Sequence, residues 1–412
     1  MVLPKNWFLL SLEEIAAEGR GTFSNGPFGS DLVKADLTDT GIPIIYIRDI
    51  RDGYYNRVST SCVTEEKAEQ LSACWVSPGD VLVAKVGDPP GTAAIYPEDQ
   101  AMGIVTQDVV RLRLNPEVAD PAYVRHWLNS PLGQYAVRSI TVEATRARFP
   151  LGDFKKLAIL LPPIAQQRRI AEILDRADAI RRKRQEAIRL TEELLRSTFL
   201  EMFGDPVTNP KGWTSGTILN VVTNPSDMRC GPFGTQLKAE EIVSEGIPLI
   251  GIENVKGGKF QSAISKHITS SKAKELAAFD VQAGDVLVTR MGTIGHACVV
   301  PQDLGEARIS YHLFRIRSNP DKCLPGFLAS TITWSGTFLR QLERLSHGAI
   351  MAGLKTADLK EVRFLIPPIK LQNQYLEVVA DTERLLEKQK QRLMNDDNLF
   401  DSLLQRAFRG EL

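Results

Sequence analysis

Gly26-Pro27-Phe28-Gly29 returns as Gly231-Pro232-Phe233-Gly234, and that return decides how the whole chain is read. Working outward, Gly41-Ile42-Pro43-Ile44-Ile45 reappears as Gly246-Ile247-Pro248-Leu249-Ile250. Gly79-Asp80-Val81-Leu82-Val83 reappears as Gly284-Asp285-Val286-Leu287-Val288, and Pro162-Pro163-Ile164 as Pro367-Pro368-Ile369. The separations 231−26, 246−41, 284−79 and 367−162 all equal 205. That period is far longer than a solenoid repeat, so each copy is a whole domain plus an appendage.

Each copy has two parts. The first ~150 residues carry Gly/Pro turns and short apolar runs, such as Val81-Leu82-Val83 and Val109-Val110-Arg111-Leu112, which read as strands, with a helix around Tyr123–Leu128. After Pro162-Pro163 come about forty residues without Gly or Pro, with Ile170, Ile173, Leu174, Ala177, Ile180, Ala187, Ile188, Leu194, Leu195 and Phe199 at helical spacing. Gly204 and Pro206 stop this helix, and a second one runs from Ile369 to Phe408 before Gly410. Each is ~60 Å long, too long to hide its stripe on a small domain, so the two are expected to pack on each other. The end matches Leu195/Leu404 and Phe199/Phe408 lie 209 apart, which predicts four extra residues in the second helix.

The fold class expected is α+β: two homologous mixed α/β domains separated by two long helices packed as an antiparallel coiled coil about a pseudo-twofold axis. The boundaries fall at 1–160, 161–205, 206–365 and 366–412. Net charge is zero, with 50 basic and 50 acidic residues. Residues 1–154 hold 14 basic and 20 acidic side chains, whereas 206–360 hold 17 and 13. The first domain therefore lacks a basic footprint, and a partner would have to supply phosphate neutralisation there. Five scattered cysteines, no Cys-x-x-Cys, no signal-peptide pattern and no bilayer-length apolar run point to a cytoplasmic protein.

Catalytic motifs fail at identifiable positions. Gly257-Gly258-Lys259-Phe260 lacks the upstream Gly and the hydroxyl of a phosphate loop and reads as a hairpin turn. Asp88-Pro89-Pro90-Gly91 lacks the aromatic that an amino-methyltransferase stacks on its base. Val83-Ala84-Lys85 lacks a nuclease acid, and the five histidines have no ligand spacing. Asp80 and Asp285, the main acids shared by the copies, follow Gly at a turn, as capping residues do. A binding subunit is expected rather than an enzyme, with no metal and no cofactor in the chain.

The ordered series Gly-Pro-Phe-Gly, Gly-Ile-Pro, Gly-Asp-Val-Leu-Val and Pro-Pro-Ile, with Gln166-Gln167-Arg168-Arg169-Ile170 heading the first helix, resembles the specificity (S) subunit of type I restriction–modification systems. In the second copy, Leu371-Gln372-Asn373-Gln374-Tyr375 replaces the Gln-Gln-Arg-Arg run. The resemblance implies that each globular part reads one half of a bipartite double-stranded DNA site and that the helices set the spacing. It implies two methyltransferase (M) subunits carrying S-adenosylmethionine, and restriction (R) subunits that use ATP and Mg. A two-headed scaffold binding two protein partners is the alternative.

Residues preserved between the copies are expected to be scaffold, with Gly26 and Gly29 supplying turns and Phe28 a core anchor. Residues that differ beside that frame are the base-reading candidates: Arg48 against Glu253, Asp49 against Asn254, Lys85 against Arg290, and Asp88 against Thr293. Arg146, Arg148, Lys238, Lys256 and Lys259 are phosphate-contact candidates, with a solvated surface as the bland reading. Partner-binding candidates are Gln166, Gln167, Arg168 and Arg169 at the helix head, Arg181 and Arg182 mid-helix, and Phe199, Phe203, Leu404 and Phe408 near the helix ends. For the mid-helix arginines the alternative is a solvated face covering the stripe. For the apolar end of the second helix it is packing on the first domain.

Overall fold

The computed structural model describes residues 6–19, 21–27, 29–143, 145–205, 208–292, 294–345 and 353–412. The chain divides into two compact units: unit 1 comprises Met1–Gln185 with Gln391–Leu412, and unit 2 comprises Glu186–Lys390.

Unit 1 is built on two four-stranded sheets. One has the spatial order Cys62–Val63, Ile42–Ile45, Gly103–Val105, Trp75–Val76, its middle pair parallel. The other runs Phe23–Asn25, Val109–Leu112, Val81–Ala84, Ala93–Ile95, antiparallel throughout. Val81–Ala84 and Val109–Leu112 are buried at every position. The period of two explains this: Val81 and Val83 point into one core and Leu82 into another. A strand covered on both faces reads as an unbroken apolar run, which is why Gly-Asp-Val-Leu-Val is so visible in the sequence.

Unit 2 repeats the plan. Met228–Cys230, Leu313–Ile316, Val286–Thr289 and Ala297–Val299 form the antiparallel sheet, and Ile247–Ile250 lies parallel to Ala307–Ile309 in the mixed one. Val286 and Val288 face one core, Leu287 the other. Asp80 accepts from the Ser77 amide at 2.8 Å and grips Arg113 at 2.8 and 2.7 Å. Asp285 repeats this with the Gln282 amide and Arg317, all at 2.8 Å. Gly257 and Gly258, at φ 59° and 77°, turn the hairpin between Val255–Lys256 and Lys259–Phe260, as read from the sequence.

The long helices are Ile164–Phe203, 40 residues, and Ile369–Arg409, 41 residues. Gly204 and Gly410, at φ 78° and 77°, end them in the left-handed conformation. The expected extra turn is absent. Phe203 and Phe408 are the equivalent core residues, as are Phe199 and Leu404, and each pair is 205 apart (408−203, 404−199). The 209 register arose from matching letters instead of core positions. In unit 1, Arg181 bonds Asp397 at 2.7 Å and Arg184 bonds Asp396 at 2.6 Å, so numbers that rise along one helix meet numbers that fall along the other. In unit 2, Lys390 reaches Glu192 at 3.2 Å.

Each unit also ties a hairpin to its long helix. In unit 1 the Tyr54 hydroxyl donates to Asp178, and the Arg182 guanidinium lies 3.8 Å over the Tyr54 ring. Arg125 and His126 share Asp175, the His126 Nε2 at 2.8 Å. In unit 2 the equivalent tie is Lys259 to Glu383 at 3.3 Å. Ala380 stands where the repeat places Asp175, and a groove of about 1150 Å³ opens beside Ala380, Leu386 and Trp334.

Burial, helped by the Arg125 cation, holds the His126 ring below its ordinary value of 6.5 against the pull of Asp175. A histidine depressed in the fold contributes stability above its unfolded value, and loses it as pH falls through the folded one. The melting temperature should therefore drop as pH is lowered from about 7 to about 5. A His126→Asn variant should show a shallower drop over that window, which a calorimetric pH series checks.

Candidate nucleic-acid interface

Loops at the ends of four strands meet along one edge of each unit. In unit 2 they follow Met228–Cys230, Ile247–Ile250, Val286–Thr289 and Ala307–Ile309. The glycine of Gly231-Pro232-Phe233-Gly234 is required by close approach: a Cβ on Gly231 would lie 1.9 Å from the Ser310 carbonyl oxygen, and one on Gly26 would lie 2.0 Å from that of Val105. Gly29, at φ 35°, does supply a turn, but Gly26 does not act through positive φ. Phe28 lies outside the described residues. Its counterpart Phe233 is 52% exposed, so the core-anchor reading fails for the second copy.

Several base-reading candidates do sit on this edge. In unit 1, the Arg148 segment bridges to Val86, and the Phe149 amide donates to the Lys85 carbonyl at 3.4 Å. This brings Lys85, exposed Asp88, and exposed Arg146 and Arg148 onto neighbouring loops. Partial burial and the Arg148 charge push the Lys85 ammonium below its ordinary value. Arg48 is exposed, its Nε donating to Ser59 at 2.7 Å. In unit 2, Glu253 is exposed and paired with Lys266 at 2.9 Å. Arg290 is 7% exposed, its Nε donating to the Leu354 carbonyl at 2.7 Å. Thr293 lies outside the described residues.

Asp49 and Asn254 are corrections. Both are buried and cap the short helical turn that contains them, accepting from the amides of Tyr46 and Gly251 at 2.9 and 3.0 Å. Asp49 also accepts from Val58 and Ser59 amides, both at 2.9 Å. Asn254 instead donates to the carbonyls of Gln261 and Ala263, at 2.9 and 3.1 Å. The change from acid to amide matches a neighbouring loop that presents carbonyls instead of amides; it reads no base. Lys256 and Lys259 are exposed on the hairpin beside the helix groove, and Lys238 precedes a short helical turn next to Glu240.

The partner candidates divide the same way. Phe199 and Phe203 are core residues of unit 2, and Leu404 and Phe408 of unit 1, where the bland reading of packing on the first domain holds. Gln167 is buried, accepting from the Asp120 amide at 2.9 Å and donating to the carbonyls of Val118 and Pro162 at 2.9 and 2.8 Å. Gln372 makes the equivalent three bonds, so this glutamine is shared by the two helix heads. Gln166 is partly buried, its side-chain amide 3.3 Å from the Leu412 carbonyl. Arg181 sits within the helix seam over the Phe400 ring, and Arg182 covers Tyr54. Arg168 and Arg169 remain exposed. The sequence reading did not foresee which apolar residues of the long helices stay exposed: Ile180, Met394 and Leu399 in unit 1, and Leu190, Leu194 and Leu385 in unit 2. Ile180 and Leu194 belong to the apolar stripe read from the sequence, which does not mark which members stay uncovered.

Residues 30–190 and 230–395 match the family described as the type I restriction modification DNA specificity domain. The chain belongs to this family. Such a specificity subunit is a recognition component and not a catalytic one. The chain is 25% identical over 440 residues to the type I restriction enzyme EcoBI specificity subunit of Escherichia coli, covering 99% of this chain and 86% of that one. It is 22% identical over 429 residues to the EcoKI specificity subunit of Escherichia coli strain K12, covering 100% and 90%. Its fold is similar to a chain solved in work on complex assembly and conformational transition of the type I R-M system, with TM-score 0.59, 19% identity and full coverage of both chains. It is also similar to the S subunit of M. genitalium, with TM-score 0.57, 15% identity and coverage of 99% and 98%. Among the described residues no helix is long and apolar enough to cross a membrane, and no group of His, Cys, Asp or Glu could hold a metal ion.

Proposed function

We propose that this specificity subunit reads a bipartite, asymmetric site on double-stranded DNA, one half-site per globular domain, within residues 1–160 and 206–365. The two helices, 161–205 and 366–412, act as an antiparallel coiled coil that spaces the domains about a pseudo-twofold axis. Two methyltransferase subunits dock on the helical stripes and carry S-adenosylmethionine; restriction subunits bring ATP and Mg. The assembly works in the prokaryotic cytoplasm, where its DNA is.

The observation that carries this reading is one loop edge built twice with different chemistry. Arg48 and Glu253 stand at equivalent exposed positions, while half-buried Lys85 and buried Arg290 form a second equivalent pair. A symmetric reader would repeat these side chains and read a palindrome. The zero net charge supports a partner that neutralises phosphates. The test is a mobility-shift titration of the chain with its methyltransferase subunit against a duplex library. Sequence-dependent retention is expected, with weak binding by the subunit alone. Retention indifferent to sequence would favour the two-headed scaffold.

A further inference from the structure

The loop edge of unit 2 holds an aromatic cluster with no part in either core. Phe233 packs edge-on against Tyr311, ring centroids 5.5 Å apart, and Tyr311 packs against His312 at 5.1 Å. The Arg290 guanidinium lies beneath, 4.6 Å from the Tyr311 ring centroid and 5.5 Å from that of Phe233. Aromatic–aromatic and cation–π contacts fix these rings without burying them.

Two features mark the cluster as built for a ligand. Phe233 is half exposed in a loop whose glycine is fixed by backbone contact. Its contacts to Tyr311 and Arg290 hold the ring in place and leave the rest of its apolar face open to solvent. Arg290 is more than nine-tenths buried with the Cys230 thiol beside its guanidinium, yet its Nη1 has no hydrogen-bond partner among the described residues. A buried guanidinium donor left unpaired costs free energy unless something else receives it. His312 is exposed beside Glu253 and Lys266, and partial burial together with the Lys266 charge pushes its ring below 6.5. Its Nδ1 lies 3.4 Å from Met291 Sδ, and near neutral pH the uncharged ring carries one donor and one acceptor nitrogen.

We propose that Phe233, Tyr311 and His312, backed by Arg290, read base edges of the second half-site in the major groove. This rests on the bipartite reading above. Phe233 supplies an apolar face of the kind that meets a thymine methyl. Tyr311 and His312 supply hydrogen-bonding edges, and Arg290 Nη1 is a donor still unspent. The unit 1 residues that follow Gly103–Val105 are Thr106, Gln107 and Asp108, so the Tyr311 and His312 part of this reader belongs to one half-site only, although Phe28 matches Phe233 in the sequence.

The test uses the complete complex with its methyltransferase subunit, first mapping the wild-type modified motif. Phe233→Ala and His312→Gln complexes are then titrated with duplexes substituted base by base. Both side chains are exposed, so the complex should assemble, which gel filtration checks. The expected result is a loss of discrimination of roughly tenfold or more at one or two positions of one half-site, with the other half and the gap unchanged. Unchanged discrimination at all positions overturns the assignment, as does relaxation in both half-sites or a uniform loss of binding by an intact complex. A wild-type motif without two halves would instead defeat the bipartite reading itself.

Discussion

Duplicating Glu192-Glu193-Leu194-Leu195 in the first long helix, together with Glu387-Lys388-Gln389-Lys390 in the second, is expected to widen the gap between half-sites by one or two base pairs. Four residues add ~6 Å to a helix, and DNA rises ~3.4 Å per base pair. Four is close to 3.6, so the apolar stripes stay nearly in phase. Both helices must change because each has an anchor in both units. The first enters the unit 1 core through Ile170 and Leu174 and the unit 2 core through Phe199 and Phe203; the second enters through Tyr375 and then Leu404 and Phe408. Duplicating only Glu192–Leu195 leaves the helices mismatched by a turn and should largely abolish modification. A two-residue insertion throws the stripe to the far side and should do the same. Methylation mapping decides: the bases of both half-sites stay, and the gap grows. A gap that stays fixed in an active double variant would mean the helices do not set the spacing.

The second large effect is on stability. Gln167→Glu should destabilise the fold by about 3 kcal/mol or more, although it replaces one atom. Gln167 Nε2 donates to two carbonyls, Val118 and Pro162, and a carboxylate would turn an acceptor toward both of them. Gln372→Glu meets the same geometry against Lys322 and Pro367 and should behave alike. For a unit of about 200 residues the loss corresponds to roughly 6–12 °C in melting temperature. Arg168→Gln and Arg169→Gln, on exposed neighbours, should stay within about 0.5 kcal/mol. Thermal denaturation of the four variants checks this. Melting unchanged by either glutamate would mean that these amides do not hold the helix heads to their domains.

The long helices were legible because a Gly/Pro-free run with a 3.6 period has few other solutions, and the doubled plan because central strands buried on both faces keep their apolar letters. Other positions were misread for physical reasons. A core selects size and depth, so Phe203 rather than Phe199 matches Phe408, and letter matching gave the wrong register. Asp49 and Asn254 differ beside a preserved frame, which from sequence looks like readout. Their burial shows that a polar pair can change polarity on both sides and keep one structural role. Phe233 shows the converse, an aromatic between preserved glycines that points outward because the glycine, not the ring, makes the close contact. Lys85, Arg48 and Glu253 were legible as edge residues because the loops that carry them follow the most recognisable strands.

Recognition of two different half-sites by two copies of one domain is tested most directly by the modified motif itself. Genomic DNA from cells expressing this chain with its methyltransferase subunit is sequenced for methylated bases, beside cells lacking the chain. The expected result is one bipartite motif, with two unlike halves separated by a fixed run of unread bases, modified only when the chain is present. An uninterrupted motif, an interrupted perfect palindrome, or the same modification without the chain would contradict it.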